Sequence, residues 1–212
     1  MWSDAIDFLV TTVAKYDPDF VFLQEVRVSG EYDAVSLLQE RFPSHTVYFS
    51  SVFDFSKDYG KWVLQENSVE EGLSILTKHT VDVEYRSLSI INWVDRRPRG
   101  VQSFVWNNLS FSHIHMSKFA ESRKKACDVL SDSDIIIGDF NMQLYEVSSH
   151  FSSNYRIANK QFPYISYPSK SLTLDHCVVR DWKFLSVETI ENNVSDHNAI
   201  MYDLAVSELL YP

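Results

Sequence analysis

Three β-branched residues in a row, Ile135 to Ile137, run into Gly138 and then Asp139. So short and apolar a run, closed by a glycine, reads as a buried strand, because it has no polar face to offer water and lies below ordinary helix length. The rest of the chain must therefore supply cover for a sheet. The run continues as Phe140-Asn141, so a carboxylate and an amide stand two residues apart where the strand leaves the sheet. A pair of that kind either caps the exit in an Asx turn or does chemistry.

Periodicity elsewhere supplies the cover. Ser3 or Asp4 caps a predicted helix whose apolar positions Ile6, Leu9, Val10, Val13 and Ala14 recur at helical spacing, and Asp17-Pro18 ends it. "FVFLQEV" reads as a buried strand, "EYDAVSLLQERF" as a helix stopped before Pro43, and "HTVYFS" as a strand. The segment from Val52 to Glu71 has no clean period and is expected to be a long surface loop, with Phe53, Phe55, Tyr59 and Trp62 either stacking on a substrate or packing beneath it. From Gly72 onward strands dominate: "GLSILT", "VDVEYRSLSI", then "VQSFVW" and "LSFSHIH" around an Asn107-Asn108 turn. "SKFAESRKKACDVL" returns to helix, with Ser117 as its cap and Phe119, Ala126, Val129 and Leu130 on one face. Strands follow at "DIIIG", "LDHCVV", "WKFLSVETI" and "HNAIMYDLAV", with an irregular stretch from Tyr145 to Ser171. Mixed hairpins and helix crossovers predict an α/β sandwich of two sheets covered by helices. No linker or repeat divides the chain, so residues 1–212 are expected to form one domain.

Composition excludes several classes. With 45% hydrophobic residues, disorder is not an option, and no apolar run approaches the roughly 20 residues of a membrane span. The acidic N-terminus does not resemble a signal peptide, so a soluble intracellular protein is expected. A net charge of −10 argues against a generic basic coat for nucleic acid, although a local patch or a bound cation still admits a polyanion. Cys127 and Cys177 have no metal-type spacing and are expected to be packed thiols.

Several polar positions share one context, each closing a predicted strand or opening the next loop: Glu25, His115, Asp139 with Asn141, Asp175, and Asp196-His197. Strand ends collect catalytic groups because the scaffold holds them while the loops leave room for substrate. Each also has a plain alternative. Glu25 pairs with Arg27 in the ordinary reading, Asp196 is an N-cap, and His113, on the same strand face as His115, warns that a histidine here can be purely structural. His45 and His176 read as structural. Of the basic residues, Arg96, Arg97 and Arg99 of "DRRPRG" stand evenly between phosphate contacts and a solvated turn, and Arg123, Lys124 and Lys125 lean towards a solvated helix face.

The order "QEV", "EGLSILTK", "RRPRG", "HIHMS", "GDFN", "YPSKSLTLDH", "SDHNAI" resembles the endonuclease/exonuclease/phosphatase superfamily over Asp19 to Leu204. The resemblance implies a four-layer α/β sandwich of two mixed, largely antiparallel sheets flanked by helices. It also implies a phosphoesterase using magnesium, with manganese as the alternative, held by Glu25 and supported by Asp196. Asp139 is implied as the base that activates water, Asn141 as the holder of that water or of a phosphoryl oxygen, His197 as the contact to the scissile phosphate, and Asp175 as the group orienting His197. His115 is implied as a second phosphate-side donor or acid, and Arg97 and Arg99 as phosphate contacts. The chemistry agrees with these residue types: an anionic diester resists attack until cations and donors absorb charge, magnesium prefers hard oxygens, and an aspartate behind an imidazole fixes its tautomer.

The resemblance makes a nucleic acid the first-choice substrate, with an inositol phosphate or lipid phosphodiester as its rival and a catalytically reduced binding protein as the third reading. Superfamily members begin with a strand carrying an asparagine ahead of the first helix, and this sequence begins at that helix. A late-called start, a strand supplied by a partner segment, or a reduced member would each account for that. The expected sheet has an open edge through which the chain can associate.

Overall fold

The structure, a computed structural model, describes residues 2–29, 33–54, 70–88, 99–151 and 153–206. The elements are α1 (Trp2–Tyr16), β1 (Phe20–Val28), α2 (Ala34–Arg41), β2 (Thr46–Asp54), β3 (Glu70–Thr77), β4 (Glu84–Ser87), β5 (Gly100–Trp106), β6 (Leu109–His115) and α3 (Ala120–Leu130). They continue with β7 (Ile135–Asp139), α4 (Leu144–His150), β8 (Tyr155–Ile157), α5 (Ala158–Gln161), a 3₁₀ turn (Pro168–Lys170), β9 (Asp175–Arg180), β10 (Trp182–Ile190) and β11 (Ala199–Val206). The stretch from Tyr145 to Ser171, expected to be irregular, is largely taken up by short pieces: α4, β8, α5 and the 3₁₀ turn. The heart of the expected loop, residues 55–69, lies outside the described residues, as does the segment 89–98 with Arg96 and Arg97.

The strands form a six-stranded sheet in the order β4-β5-β6-β7-β9-β8, a three-stranded sheet β1-β3-β2, and the hairpin β10-β11. Only β6 and β7 among these neighbours run parallel, joined by the α3 crossover; the other pairs are antiparallel. Side-chain alternation divides the chain into four layers. Phe104, Phe111, Ile135 and Cys177 point from the six-stranded sheet against Phe20, Phe22 and Ile75 of the smaller sheet and against Phe184, Tyr202 and Leu204 of the hairpin. On its other face Ile114, Ile136 and Val178 meet Ala126, Cys127 and Leu130 of α3 and Val147 of α4. Ile6 and Val13 of α1 and Leu38 of α2 cover the outside of the three-stranded sheet over Val21, Leu23 and Leu76. The expected two-sheet sandwich is present, with the smaller sheet's layer shared between β1-β3-β2 and the separate hairpin. A cleft of about 1640 Å³ runs between β1 and β11, whose facing edges carry no strand pairing among the described residues.

Several local expectations are met for stated reasons. Asn107 and Asn108 both take left-handed φ values, 50° and 62°, as a two-residue hairpin turn demands. Ser117, by contrast, is not the cap of α3: the helix begins at Ala120 with Phe119 at the N-cap position and no side-chain cap bond, and the Ser117 hydroxyl accepts only from the Phe119 amide ahead of it, at 3.0 Å. The inward stripe of α3 is Ser122, Arg123, Ala126, Cys127 and Leu130, so Val129, expected on that face, stands 45% exposed one step round the helix. Cys127 and Cys177 are buried free thiols.

Gly138 marks a close approach of β7 to β6. Its φ is +138°, and a Cβ there would lie 2.0 Å from the Ile114 carbonyl oxygen, a backbone atom that cannot swing aside. Gly138→Ala is expected to cost about 3 kcal/mol, read as a lower urea midpoint at unchanged m-value.

The core also carries a polar inclusion. His113 is fully buried, and burial holds its imidazole down at about 3. The unfolded chain binds a proton near pH 6.5 that the folded chain refuses, so stability is complete above pH 6.5 and falls as the pH drops towards 3. From this residue alone, urea unfolding at pH 5 is expected to give a free energy about 2 kcal/mol below that at pH 7.

Candidate active site

Strand register gathers the chemistry. Gly100 pairs with His115, His115 with Asp139, and Asp139 with Asp175, so one rung crosses four neighbouring strands at one end of the six-stranded sheet. One rung deeper on the same face the strands carry Gln102, His113, Ile137 and Cys177, and the next carries Phe104, Phe111, Ile135 and Val179. The face thus grades from ionisable to apolar over three rungs. Asp175 opens β9 rather than closing a strand; because β9 runs antiparallel to β7, its first residue meets the last residue of β7.

Asp139 is 8% exposed and anchored by the turn that follows it. Asn141 sits at φ 50°, donates its backbone N–H to Asp139 Oδ1 at 2.7 Å, and directs its side-chain amide to the Met116 carbonyl at 2.8 Å and Asp139 Oδ2 at 3.3 Å. The Asx geometry and the functional reading therefore coexist. Burial, reinforced by the negative charge of Asp175, raises the Asp139 carboxyl to about 7.

Opposite lies His197, whose Nδ1 meets Asp175 Oδ2 at 2.6 Å. Burial works to lower this imidazole, but the Asp175 hydrogen bond and the charges of Asp175, Asp139 and Asp196 outweigh it and hold His197 up at about 9. At neutral pH it is an imidazolium. Asp175 is itself held by the preceding loop: its backbone N–H and that of Leu174 donate to Ser166 Oγ, both at 3.0 Å, and the Tyr164 hydroxyl donates to its carbonyl at 2.8 Å. Asn192 steadies the other side, donating to the His197 carbonyl at 2.8 Å.

His115 behaves in the opposite way. Its Nε2 is 3.5 Å from Asp139 Oδ2 and 4.0 Å from Glu25 Oε1, and Arg99 Nη1 lies 3.0 and 2.8 Å from its two ring nitrogens. Burial, then the Arg99 charge, pushes it well below the ordinary histidine range. It is a neutral hydrogen-bonding ring at physiological pH, suited to donation rather than to releasing a proton.

Glu25 is not paired with Arg27, which instead bonds buried Glu71 at 3.1 Å, and its carboxylate is left at the His115 end of the cleft. Asp196 is exposed beside His197 and lines the same cleft. Arg99 is buried against His115, while Arg97 lies outside the described residues. Arg123 is neither a solvated charge nor a cleft residue: it is buried, pairs with Glu146 at 2.6 Å and donates to the Asn141 carbonyl at 3.2 Å, bracing the turn behind Asp139.

The sequence profile of the Endonuclease/Exonuclease/phosphatase family matches residues 2–197. The chain belongs to this family. Among solved structures, a family protein from Leptotrichia buccalis superposes with TM-score 0.71 at 17% identity, covering 96% of this chain and 94% of that one. D. rerio TDP2, complexed with a single-strand DNA product, gives 0.69 at 16% identity over 97% and 93%. The human Nocturnin catalytic domain, with a bound sulfate anion, gives 0.67 at 19% identity over 97% and 87%. At such identities the likeness concerns the fold. No curated protein matches the sequence significantly.

The donor set of this family member suits a hard divalent cation. Carboxylate oxygens of Asp139 and Asp175 lie within 4.8 Å of each other and of the His197 ring, whose Nδ1 is taken by Asp175, and the Glu25 carboxylate stands 4.0 Å from His115 on the same rung. The Asp139 carboxyl stays raised even with His197 and Arg99 nearby, so burial and the Asp175 charge exceed what the chain's own cations offset. Sequence reasoning assigned no role to Gln24, Tyr164, Ser166 or Tyr167, the last with its ring centroid 4.8 Å from that of His197. Gln24 and Tyr167 open the stretches "QEV" and "YPSKSLTLDH", and Tyr164 and Ser166 stand just ahead of the second. Nothing in residue type separates a loop that holds an aspartate from one that merely precedes a strand.

Proposed function

We propose that this chain is a divalent-metal-dependent phosphoesterase that hydrolyses phosphodiester bonds in nucleic acid. The observation that carries the reading is an opposed pair at one end of the sheet: a buried carboxyl raised to about 7 facing an imidazolium held up at about 9 by Asp175. Near pH 8 the first is ionised and able to take a proton from water, and the second is protonated and able to donate to a phosphoryl oxygen.

In this reading Asp139 orients and deprotonates the attacking water, and Asn141 fixes the carboxylate by one hydrogen bond to each of its oxygens so that it is held towards that water. His197 donates through Nε2, because Nδ1 is engaged by Asp175. Neutral His115, with Nδ1 accepting from Arg99, offers its Nε2–H as a second donor to the phosphoryl group. Glu25, assisted by Asp196, would hold Mg²⁺ or Mn²⁺, which when bound supplies positive charge to the phosphoryl and leaving oxygens.

Support for a nucleic acid comes from the structural relative that carries a single-strand DNA product. The acidic chain, at −10, favours binding led by the metal and a few local donors rather than a broad basic surface. The test is hydrolysis of a generic diester, single-stranded DNA and plasmid with Mg²⁺ and with chelator. Turnover is expected only with metal and is expected to return when Mn²⁺ replaces Mg²⁺. Turnover of inositol phosphates or sphingomyelin without nuclease activity would move the assignment to the rival substrates, and metal-dependent binding without turnover would make this a binding protein.

A further inference from the structure

Glu25 reaches the site through an irregularity in β1. Leu23 pairs with Ser74 and Val26 with Gly72, so Gln24 and Glu25 stand opposite Leu73 alone, and Glu25 takes φ 54°. A non-glycine residue in the left-handed region costs on the order of 1 kcal/mol and persists only where its surroundings hold it. Gln24 is the other residue of this bulge.

Gln24 turns inward, and its Nε2 lies 2.7 Å from His113 Nε2. Behind the histidine, Nδ1 is 3.0 Å from Gln102 Oε1, and the Gln102 amide nitrogen is 3.0 Å from both the Tyr48 carbonyl and Ser50 Oγ. The direction of this chain follows from its far end. A backbone carbonyl only accepts, so Gln102 must turn its NH₂ to Tyr48 and its oxygen to His113. His113 then carries its proton on Nδ1, and its Nε2 is left to accept from the Gln24 amide. The carbonyl on β2 thereby fixes the tautomer that clamps β1, by a relay crossing from the small sheet to the large one and back. Gln102 and His113 are both fully buried, and the neighbouring rung fills the same space with Phe104 and Phe111. A polar chain is needless for packing there and is costly if any member loses its partner.

We propose that Gln24 and His113 are positioning residues for the divalent cation: their relay holds the β1 bulge in the left-handed form that sets the Glu25 carboxylate beside His115. This deepens the proposed function, since it rests on Glu25 as a metal ligand.

The test is a double-mutant cycle on Mn²⁺ affinity, read from the free Mn²⁺ paramagnetic resonance signal with the full chain and no substrate. Gln24→Met is expected to weaken binding about 10-fold and Glu25→Gln more, while the double variant binds no more weakly than Glu25→Gln alone. The metal-free melting temperature is expected to fall equally when Gln24→Met is introduced into the parent or into the Glu25→Gln variant, which separates stability from aim. Parent-like Mn²⁺ affinity in Gln24→Met, or a further 10-fold loss in the double variant, overturns the positioning role while leaving Glu25 as a ligand. Parent-like affinity in Glu25→Gln instead removes the ligand, and this inference with it. If Gln24→Met does not fold, Gln102→Met removes the acceptor directly behind His113, and parent affinity there overturns the proposal equally.

Discussion

Asp139→Asn is expected to lower kcat/KM on a phosphodiester by about 10⁴-fold without loss of folded protein. The substitution is nearly isosteric, and an asparagine oxygen can still accept the Asn141 backbone N–H that now binds Asp139 Oδ1. What disappears is the ionisable oxygen that takes a proton from water. Stability is expected to move the other way. The folded-state carboxyl sits near 7, above its unfolded value of 3.8, so the parent loses stability as the pH rises from about 4 to 7 and a charge is forced into a buried, negatively charged rung. The amide carries no such burden, so at pH 8 and without metal the variant is expected to melt at or above the parent temperature. Activity and stability then oppose each other at one side chain, as expected where a fold carries strain for function. Equal hydrolysis by the variant and the parent would reject Asp139 as the base.

Asp175→Asn is expected to reduce kcat/KM about 30-fold at pH 8 through lost protonation of His197, and to do so in a pH-dependent way. In the parent, the Asp175 hydrogen bond and neighbouring carboxylates hold His197 protonated up to about pH 9. Without that carboxylate, burial pulls the imidazole back to or below its ordinary 6.5. Between pH 6.5 and 9 the parent keeps its donor while the variant loses it about tenfold per unit, so the ratio of parent to variant activity rises across that window and levels off above 9. A bound cation shifts both titrations downward without changing their order. A ratio independent of pH would mean that Asp175 merely supports the loop through Ser166 and Tyr164.

Much of the fold was legible in the sequence because periodicity reports burial directly. The run at Ile135–Ile137, the Asn107-Asn108 turn and the helical spacing before Asp17 each express a local rule, and each element appears where that rule puts it. Partner choice was less legible. Arg27 and Glu25 are close in sequence, yet Arg27 bonds Glu71 across the sheet, and Arg123 is drawn inward by Glu146 and the Asn141 carbonyl instead of joining a solvated face. Ion-pair partners follow from register and layer packing, which no single segment encodes. Val129 failed for a smaller reason: a helical stripe read without knowledge of the facing sheet is uncertain by about one position.

The chain's own residues determined which groups could do chemistry and at which strand ends they stand, since side-chain type and two- or 3.6-residue periods are local properties. Only the tertiary structure decided which of those groups share a rung, and so which become acidic, basic or neutral. His113 and His115 are two residues apart on one strand, with His197 far along the chain, yet the first two are held neutral and the third charged. Burial and neighbouring charge set those states, and both arise only when β6, β7 and β9 are brought into register.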